Sequence, residues 1–321
     1  MDFDLTADEE DLRDGVRRLL QGRAPMSAVR QLASSAGVER SLWRELAEAG
    51  VFSLRLPDDQ GGAGLGMAEA ALVFEELGRA LVPGPLVATH VLAGALPGAA
   101  AGDRVVGVVD LGATPVLVEH LDALDDVAVF EHGGVGVVGA EEVRARAEPL
   151  SPLDPLIPVH RLPAPISTRP LAGPEAAARW RLEATALTAA VLLGIAEAVT
   201  DMGVAYAKER RQFERAIGSF QAVKHVLADM LVRAEVARAA VYAAAATLDH
   251  PEVGDVSRAV AAAKAVAGDA ATANGKACVQ VHGGMGFTWE LDVHLYRKRA
   301  WVLDTHWGSV GDQAEVIAGL L

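Results

Sequence analysis

Two short stretches of this 321-residue chain hold residue types that could bind an anionic ligand. Arg210-Arg211-Gln212-Phe213 ends one helical pattern, and Gly218-Ser219-Phe220-Gln221 opens the next. Two cations and two amides at a turn between helices can cradle an anion, and the free amides of the second helix's N-terminus would add to it. The plainer reading is a solvated helix end whose charges suit the helix dipole, and ordinary capping preferences favour it on composition alone. Further on, Gln280-Val281-His282-Gly283-Gly284-Met285-Gly286-Phe287 sets three glycines in four residues behind a helical segment. Glycine lets a ligand approach the backbone closely, and successive amides can bind phosphate. The order is helix then glycines, so it is not the strand–glycines–helix dinucleotide fingerprint. A glycine cap that simply turns the chain is the alternative.

Other reactive side chains form no recognisable arrangement. His225, His282 and His306 lack a partner at i+4, and Cys278 is the only cysteine, so no metal site and no intramolecular disulfide are expected. Ser219 and Ser309 have no neighbouring His/Asp pattern. Trp301 and Trp307 follow an apolar pattern and read as packing or interface residues.

Composition narrows the classes. Apolar residues make up 51% of the chain, enough for a packed core. The net charge of −14 argues against nucleic acid and anionic membranes as partners, while leaving room for a local basic pocket. The most apolar stretch, Leu187 to Val199, is interrupted by Thr188 and Glu197, so no bilayer-spanning run is expected. The start carries Asp2, Asp4, Asp8, Glu9 and Glu10, the reverse of a basic leader. The lone Cys278 fits a reducing, cytoplasmic setting, which is the expectation.

Three segments must position the two stretches. Residues 1–98 read as a helical domain. It opens on a Thr6-x-x-Glu9 capping box and continues through helices around Leu42–Leu46, Ala71–Gly78 and Leu86–Leu96, with a turn-rich Pro57–Gly64 loop between. Residues 99–170 change to short valine runs at 105–109, 116–118, 127–130 and 135–138, giving a small sheet of four to six strands. Pro149, Pro152, Pro155, Pro158, Pro163, Pro165 and Pro170 then read as an extended connector. Residues 171–321 are helical again. Leu187, Val191, Ile195, Val199 and Met202 share one face, Phe220 to Ala234 repeats the pattern, and 255–281 forms an alanine-rich helix. The fold class is mostly α: a helical domain, a shortened β domain and an antiparallel four-helix-type bundle.

Taken together, Tyr206-x-x-x-Arg210-x-Gln212-Phe213, Ile217-Gly218-x-Phe220-Gln221 and Gln280-x-x-Gly283-Gly284-x-Gly286-Phe287 resemble the acyl-CoA dehydrogenase family, as do the helix–sheet–helix order and the Asp58-Asp59-Gln60-Gly61-Gly62 loop. The resemblance implies FAD shared across a subunit interface and an acyl-CoA substrate. The positions of Arg210, Gln212, Gln221, Gln280, Gly283 and Gly284 would meet the ADP half of a flavin seated mainly in the neighbour, and Phe213 would pack at that flavin.

The departures from the family pattern define the expected role. Glu214 stands where members usually have glycine. The middle segments that hold the flavin ring in other members have no counterpart in 99–170. The place of the usual catalytic Glu, within 305–309, holds Thr, His, Trp, Gly and Ser. A minority of members carry the base on the helix before Arg210; that place falls on Ala184, with Glu183 one residue away and Thr185 where an Arg often follows. The expectation is therefore a subunit that lends the ADP side of an FAD site to a second acyl-CoA dehydrogenase subunit bearing the base, in an α2β2-like complex acting on bulky, steroid-type thioesters. A self-sufficient homodimer using Glu183, and a non-catalytic structural subunit, are the alternatives.

Overall fold

A computed structural model describes residues 5–33, 37–131, 133–164 and 166–320. Asp2, Asp4 and Pro165 lie outside the described residues. The chain divides into two compact units, one made of residues 1–21, 67–82 and 185–321, the other of 22–66 and 83–184.

In chain order, the helices are α1 (Ala7–Arg23), α2 (Met26–Leu32), α3 (Arg40–Glu48), α4 (Met67–Arg79) and α5 (Leu86–Leu92). The strands β1 (Val106–Asp110), β2 (Leu117–Glu119), β3 (Asp126–Glu131) and β4 (Gly134–Gly139) follow, then α6 (Ala140–Arg144), β5 (Glu148–Leu150), β6 (Val159–Arg161) and β7 (Arg169–Ala172). The rest is α7 (Pro174–Glu209), a hairpin of β8 (Arg211–Gln212) and β9 (Arg215–Ala216), α8 (Gln221–Asp249), α9 (Val256–His282), α10 (Val293–Thr305) and α11 (Val310–Gly319).

The first unit is a helical bundle around α4, the larger part of α7, and α8 to α11. Its capping box is formed as the sequence suggests: the Glu9 amide donates to Thr6 Oγ1 (3.3 Å) and the Thr6 amide donates to Glu9 Oε2 (2.7 Å). Alanine and glycine set the spacing of the helices. At Gly78 on α4 and Gly194 on α7, an added Cβ would run into the backbone carbonyl of Val191 or Glu75 respectively, so α4 and α7 cross in backbone contact that larger residues would forbid. The most apolar 18-residue window of α7 is 89% buried, which makes it a core helix. Several polar groups inside the bundle tie its helices together. Glu75, 2% exposed, accepts from Arg238 (2.9 Å) and from the Tyr242 hydroxyl (2.8 Å), which ties α4 to α8. Asn274 on α9 donates to the Met230 carbonyl (2.8 Å) and to Thr200 (3.1 Å).

The second unit carries the strands. One sheet has the order β1-β3-β4-β7, with β1 parallel to β3 and the other pairs antiparallel; a second is β2-β6-β5, antiparallel throughout. The valine runs form β1 to β4 at the expected places, and most of their side chains are buried, Val108 and Val116 being half-buried. The proline-rich stretch is more than a connector: β5, β6 and β7 lie within it. Pro149 and Pro170 sit on β5 and β7, the edge strands of their sheets, where a missing amide donor interrupts no ladder. Thr89 on α5 bridges to β1, its hydroxyl donating to the Val106 carbonyl (3.0 Å) and accepting from the Val106 amide (3.1 Å).

Candidate functional site

Within the bundle unit, the two chemically suggestive stretches come to one end. α7 ends at Glu209, and the chain bends through Arg210, whose amide donates to the Tyr206 carbonyl (2.8 Å) while its own carbonyl accepts from Ile217 (2.8 Å). The Tyr206 ring stacks on His282, the last residue of α9, at 4.2 Å. The His282 Nδ1–H donates to the Cys278 carbonyl (2.8 Å), which fixes the ring. One stacked pair thus joins 206–221 to 280–287.

Between β8 and β9 the loop is only Phe213-Glu214, with φ of 51° and 66°. A two-residue loop with both residues left-handed is the type I′ geometry that matches strand twist, and its second position favours glycine. That gives a physical reason for the glycine usual at this place and marks Glu214 as strained. Phe213 stands 84% exposed at the tip.

The polar groups here are available. Arg210, Gln221 and Gln280 are exposed, and among the described residues none of the three side chains has a hydrogen-bond or ion-pair partner. Gln212 donates to the Arg211 carbonyl (2.9 Å), and Arg211 to the Glu214 carbonyl (2.9 Å). Gly283 caps α9, its amide donating to the Gln280 carbonyl at φ 61°, so the capping role is real. A Cβ on Gly283 or Gly284 would meet no atom within 4 Å, leaving the backbone open to a ligand. Phe213, Phe287 (79% exposed) and Trp289 (67%) put large apolar side chains in water at the same stretches. A cation, two amides, an open glycine backbone and exposed rings suit a nucleotide diphosphate lying against a second protein surface.

Glu183 stands on α7, 27 residues before Arg210 in sequence. It belongs to the second unit and is 5% exposed. Arg55 binds it twice, at 2.8 Å and 3.0 Å, and Arg179 once more at 2.9 Å. Burial pushes the Glu183 carboxyl up, but the Arg55 hydrogen bonds and charge, reinforced by Arg179, outweigh it and hold the group below the usual carboxylate range. His90 is in the same neighbourhood, its Nδ1–H donating to the Val51 carbonyl (2.7 Å), and burial pushes its pKa down to about 4. Arg55 was missed in the sequence, since nothing local marks an arginine 128 positions from its partner.

The 305–309 stretch is occupied with structure. The Ser309 side chain caps α11 in a reciprocal box with Asp312, and Gln313 donates to the Trp307 carbonyl (2.8 Å). Lys264, fully buried on α9, donates to the carbonyls of Asp304 (2.9 Å) and Gly308 (3.2 Å). Burial pushes its pKa down to about 8 against the pull of Asp304 and Asp312. This lysine too had no sequence signal beyond its place in an alanine run.

Comparison with known proteins adds to this geometry. Residues 6–104 match the acyl-CoA dehydrogenase N-terminal domain, and residues 176–319 match the acyl-CoA dehydrogenase C-terminal domain. Acyl-CoA dehydrogenase IpdE2 of Mycobacterium tuberculosis is 40% identical over 299 residues, covering 90% of this chain and 89% of that protein. Among solved structures, the ChsE4-ChsE5 complex from Mycobacterium tuberculosis superposes with a TM-score of 0.82 at 24% identity, covering 99% of this chain and 98% of that one. The Tcur3481-Tcur3483 steroid ACAD, in a variant form, does so with a TM-score of 0.82 at 24% identity over 98% of this chain and 97% of its own. At that identity the two structures speak for the fold.

Proposed function

Since the chain belongs to the acyl-CoA dehydrogenase family, we propose that it is one subunit of an FAD-dependent acyl-CoA dehydrogenase in which a different subunit carries the base. The observation that carries this reading is the state of Glu183. A base for the α-proton needs a free lone pair and a pKa near the working pH. Glu183 has three charge-assisted hydrogen bonds and a depressed pKa, and 305–309 contains no carboxylate. The α-proton base is therefore assigned to the partner.

The other half of the proposal concerns what this chain supplies. FAD, when bound, accepts the hydride that leaves the β-carbon of the acyl-CoA. Arg210 would neutralise pyrophosphate charge, and Gln212, Gln221 and Gln280 would offer amides to the ADP moiety. Gly283 and Gly284 would admit it against the backbone, and Phe213 would cover it from water. These groups are the exposed, open set at the α7–α9 end, which fits a cofactor held mainly by a neighbour. We assign one FAD to each pair of unlike subunits, an α2β2-like assembly and a cytoplasmic setting. Bulky thioesters, steroid-derived ones among them, are the proposed substrates by analogy with the Tcur3481-Tcur3483 steroid ACAD.

Flavin content tests the reading. The chain purified alone should be colourless, and co-expression with a partner dehydrogenase subunit should give a yellow complex with one FAD per unlike pair. A stoichiometric flavin spectrum from the chain alone would install the homodimer instead.

A further inference from the structure

The hairpin that aims Phe213 has a support outside the residues assigned so far. Phe213 packs edge-to-face against Phe220, with ring centroids 6.1 Å apart and planes at 82°. The guanidinium of Arg215 lies 4.0 Å over the Phe220 ring. Phe220 is the residue that enters α8, so its own backbone is anchored to a long helix. Among the described residues, Arg215 has no hydrogen-bond or ion-pair partner for its side chain, and the Phe220 ring is the group it contacts. Arg215 also pairs with Gln212 across the hairpin, so its backbone is in register with the strand that leads into Phe213.

Physically, Phe213 should not hold its place without help. It is 84% exposed and left-handed at φ 51°, a conformation that disfavours a residue with a Cβ. A water-exposed aromatic on a two-residue loop would sample several rotamers. The Phe220 edge contact selects one of them, and the cation over Phe220 keeps that ring from turning away.

We propose that Arg215 is a positioning residue: acting through Phe220, it sets the aim of Phe213 before cofactor or partner arrives. The proposal rests on the reading of this end as the ADP side of an FAD site, and it adds a preorganising role there for a cation that need not touch the cofactor. Its cost–benefit logic is that of preorganisation: ordering Phe213 in the free chain removes that ordering from the binding step.

The experiment has a cofactor-free arm. The full chain is labelled with 4-fluorophenylalanine at its seven phenylalanines, and the Phe213 signal is assigned by Phe213→Leu. In Arg215→Gln the Phe213 resonance should move toward the free amino-acid shift and sharpen, with Arg215→Lys, which keeps a cation, in between. In the second arm, FAD content of the co-expressed complex should fall roughly two- to fivefold in Arg215→Gln, the equilibrium scale of a partly exposed cation–π contact, with partial restoration in Arg215→Lys. An unchanged Phe213 signal in Arg215→Gln overturns the proposal. So does a shifted signal with full FAD retention while Arg210→Ala loses FAD. Should Arg210→Ala retain FAD as well, the ADP-side reading itself is at fault.

Discussion

Arg55 and Glu183 face each other in a two-pronged ion pair, at 2.8 Å and 3.0 Å, across 128 positions of sequence. A guanidinium fork that takes both carboxylate oxygens leaves the acid poorly suited to accept a proton. The side chains are 18% and 6% exposed, so the pair is shielded from water and strongly coupled.

Glu183→Gln should leave turnover of the assembled enzyme within a fewfold of the parent. Loss of a general base costs about 10²–10⁴-fold, so steady-state kinetics with intact flavin content separates the two cases plainly. A drop on that scale would return the base to this chain.

Arg55→Met should destabilise the fold by about 3–5 kcal/mol, the usual result of stripping one partner from a buried pair. The double variant Arg55→Met/Glu183→Gln should recover much of that loss, because no buried charge is left uncompensated. The pair also has a pH signature. With its folded pKa depressed, Glu183 contributes stability above the unfolded carboxylate pKa and loses it as pH falls through the folded value. Denaturant titration between pH 6 and pH 2 should show a shallower acid loss in Glu183→Gln.

Arg210→Ala should lower FAD retention roughly ten- to a hundredfold, the range for one charge-assisted hydrogen bond of about 1.5–3 kcal/mol. Flavin-to-protein ratio after gel filtration of the complex is the measurement, and an unchanged ratio would remove Arg210 from the site.

Glu214→Gly should act twice. Relief of the left-handed backbone at φ 66°, less the added chain entropy of glycine, should stabilise the chain by about 0.5–1 kcal/mol. Removal of a carboxylate next to the ADP-side groups should also raise FAD retention. A melting curve and the flavin ratio check the two effects independently.

Lys264 gives a basic-side test. Its pKa is about 8 in the fold against 10.5 for the ordinary lysine, so between those values the unfolded chain binds more protons and stability rises with pH. Below pH 8 both states are protonated and the contribution is a constant cost. Lys264→Met should flatten the pH 8–10.5 slope measured by urea denaturation.

Much of the architecture was legible because it depends on short-range pattern. Leu187 to Met202 marks α7 by its period, Thr6 and Glu9 mark the start of α1, and the valine runs mark β1 to β4. β5, β6 and β7 were hidden because a proline stands in β5 and in β7 and just before β6, and the edge strands β5 and β7 tolerate theirs for a reason visible only once the pairing is known. The family motifs at 206–221 and 280–287 were readable as residues, since their chemistry is carried by side-chain type and glycine spacing.

The linear chain by itself determined which groups exist: a cation and amides near 210–221, open glycines at 283 and 284, and no carboxylate in 305–309. Only the tertiary structure decided what those groups do to one another. The stacking of Tyr206 on His282 brings two stretches to one end. The fork of Arg55 holds the Glu183 carboxylate in a buried ion pair. Burial moves Lys264 down to about 8. Each depends on long-range proximity and on the low local dielectric that packing creates, and neither quantity is written in residue order.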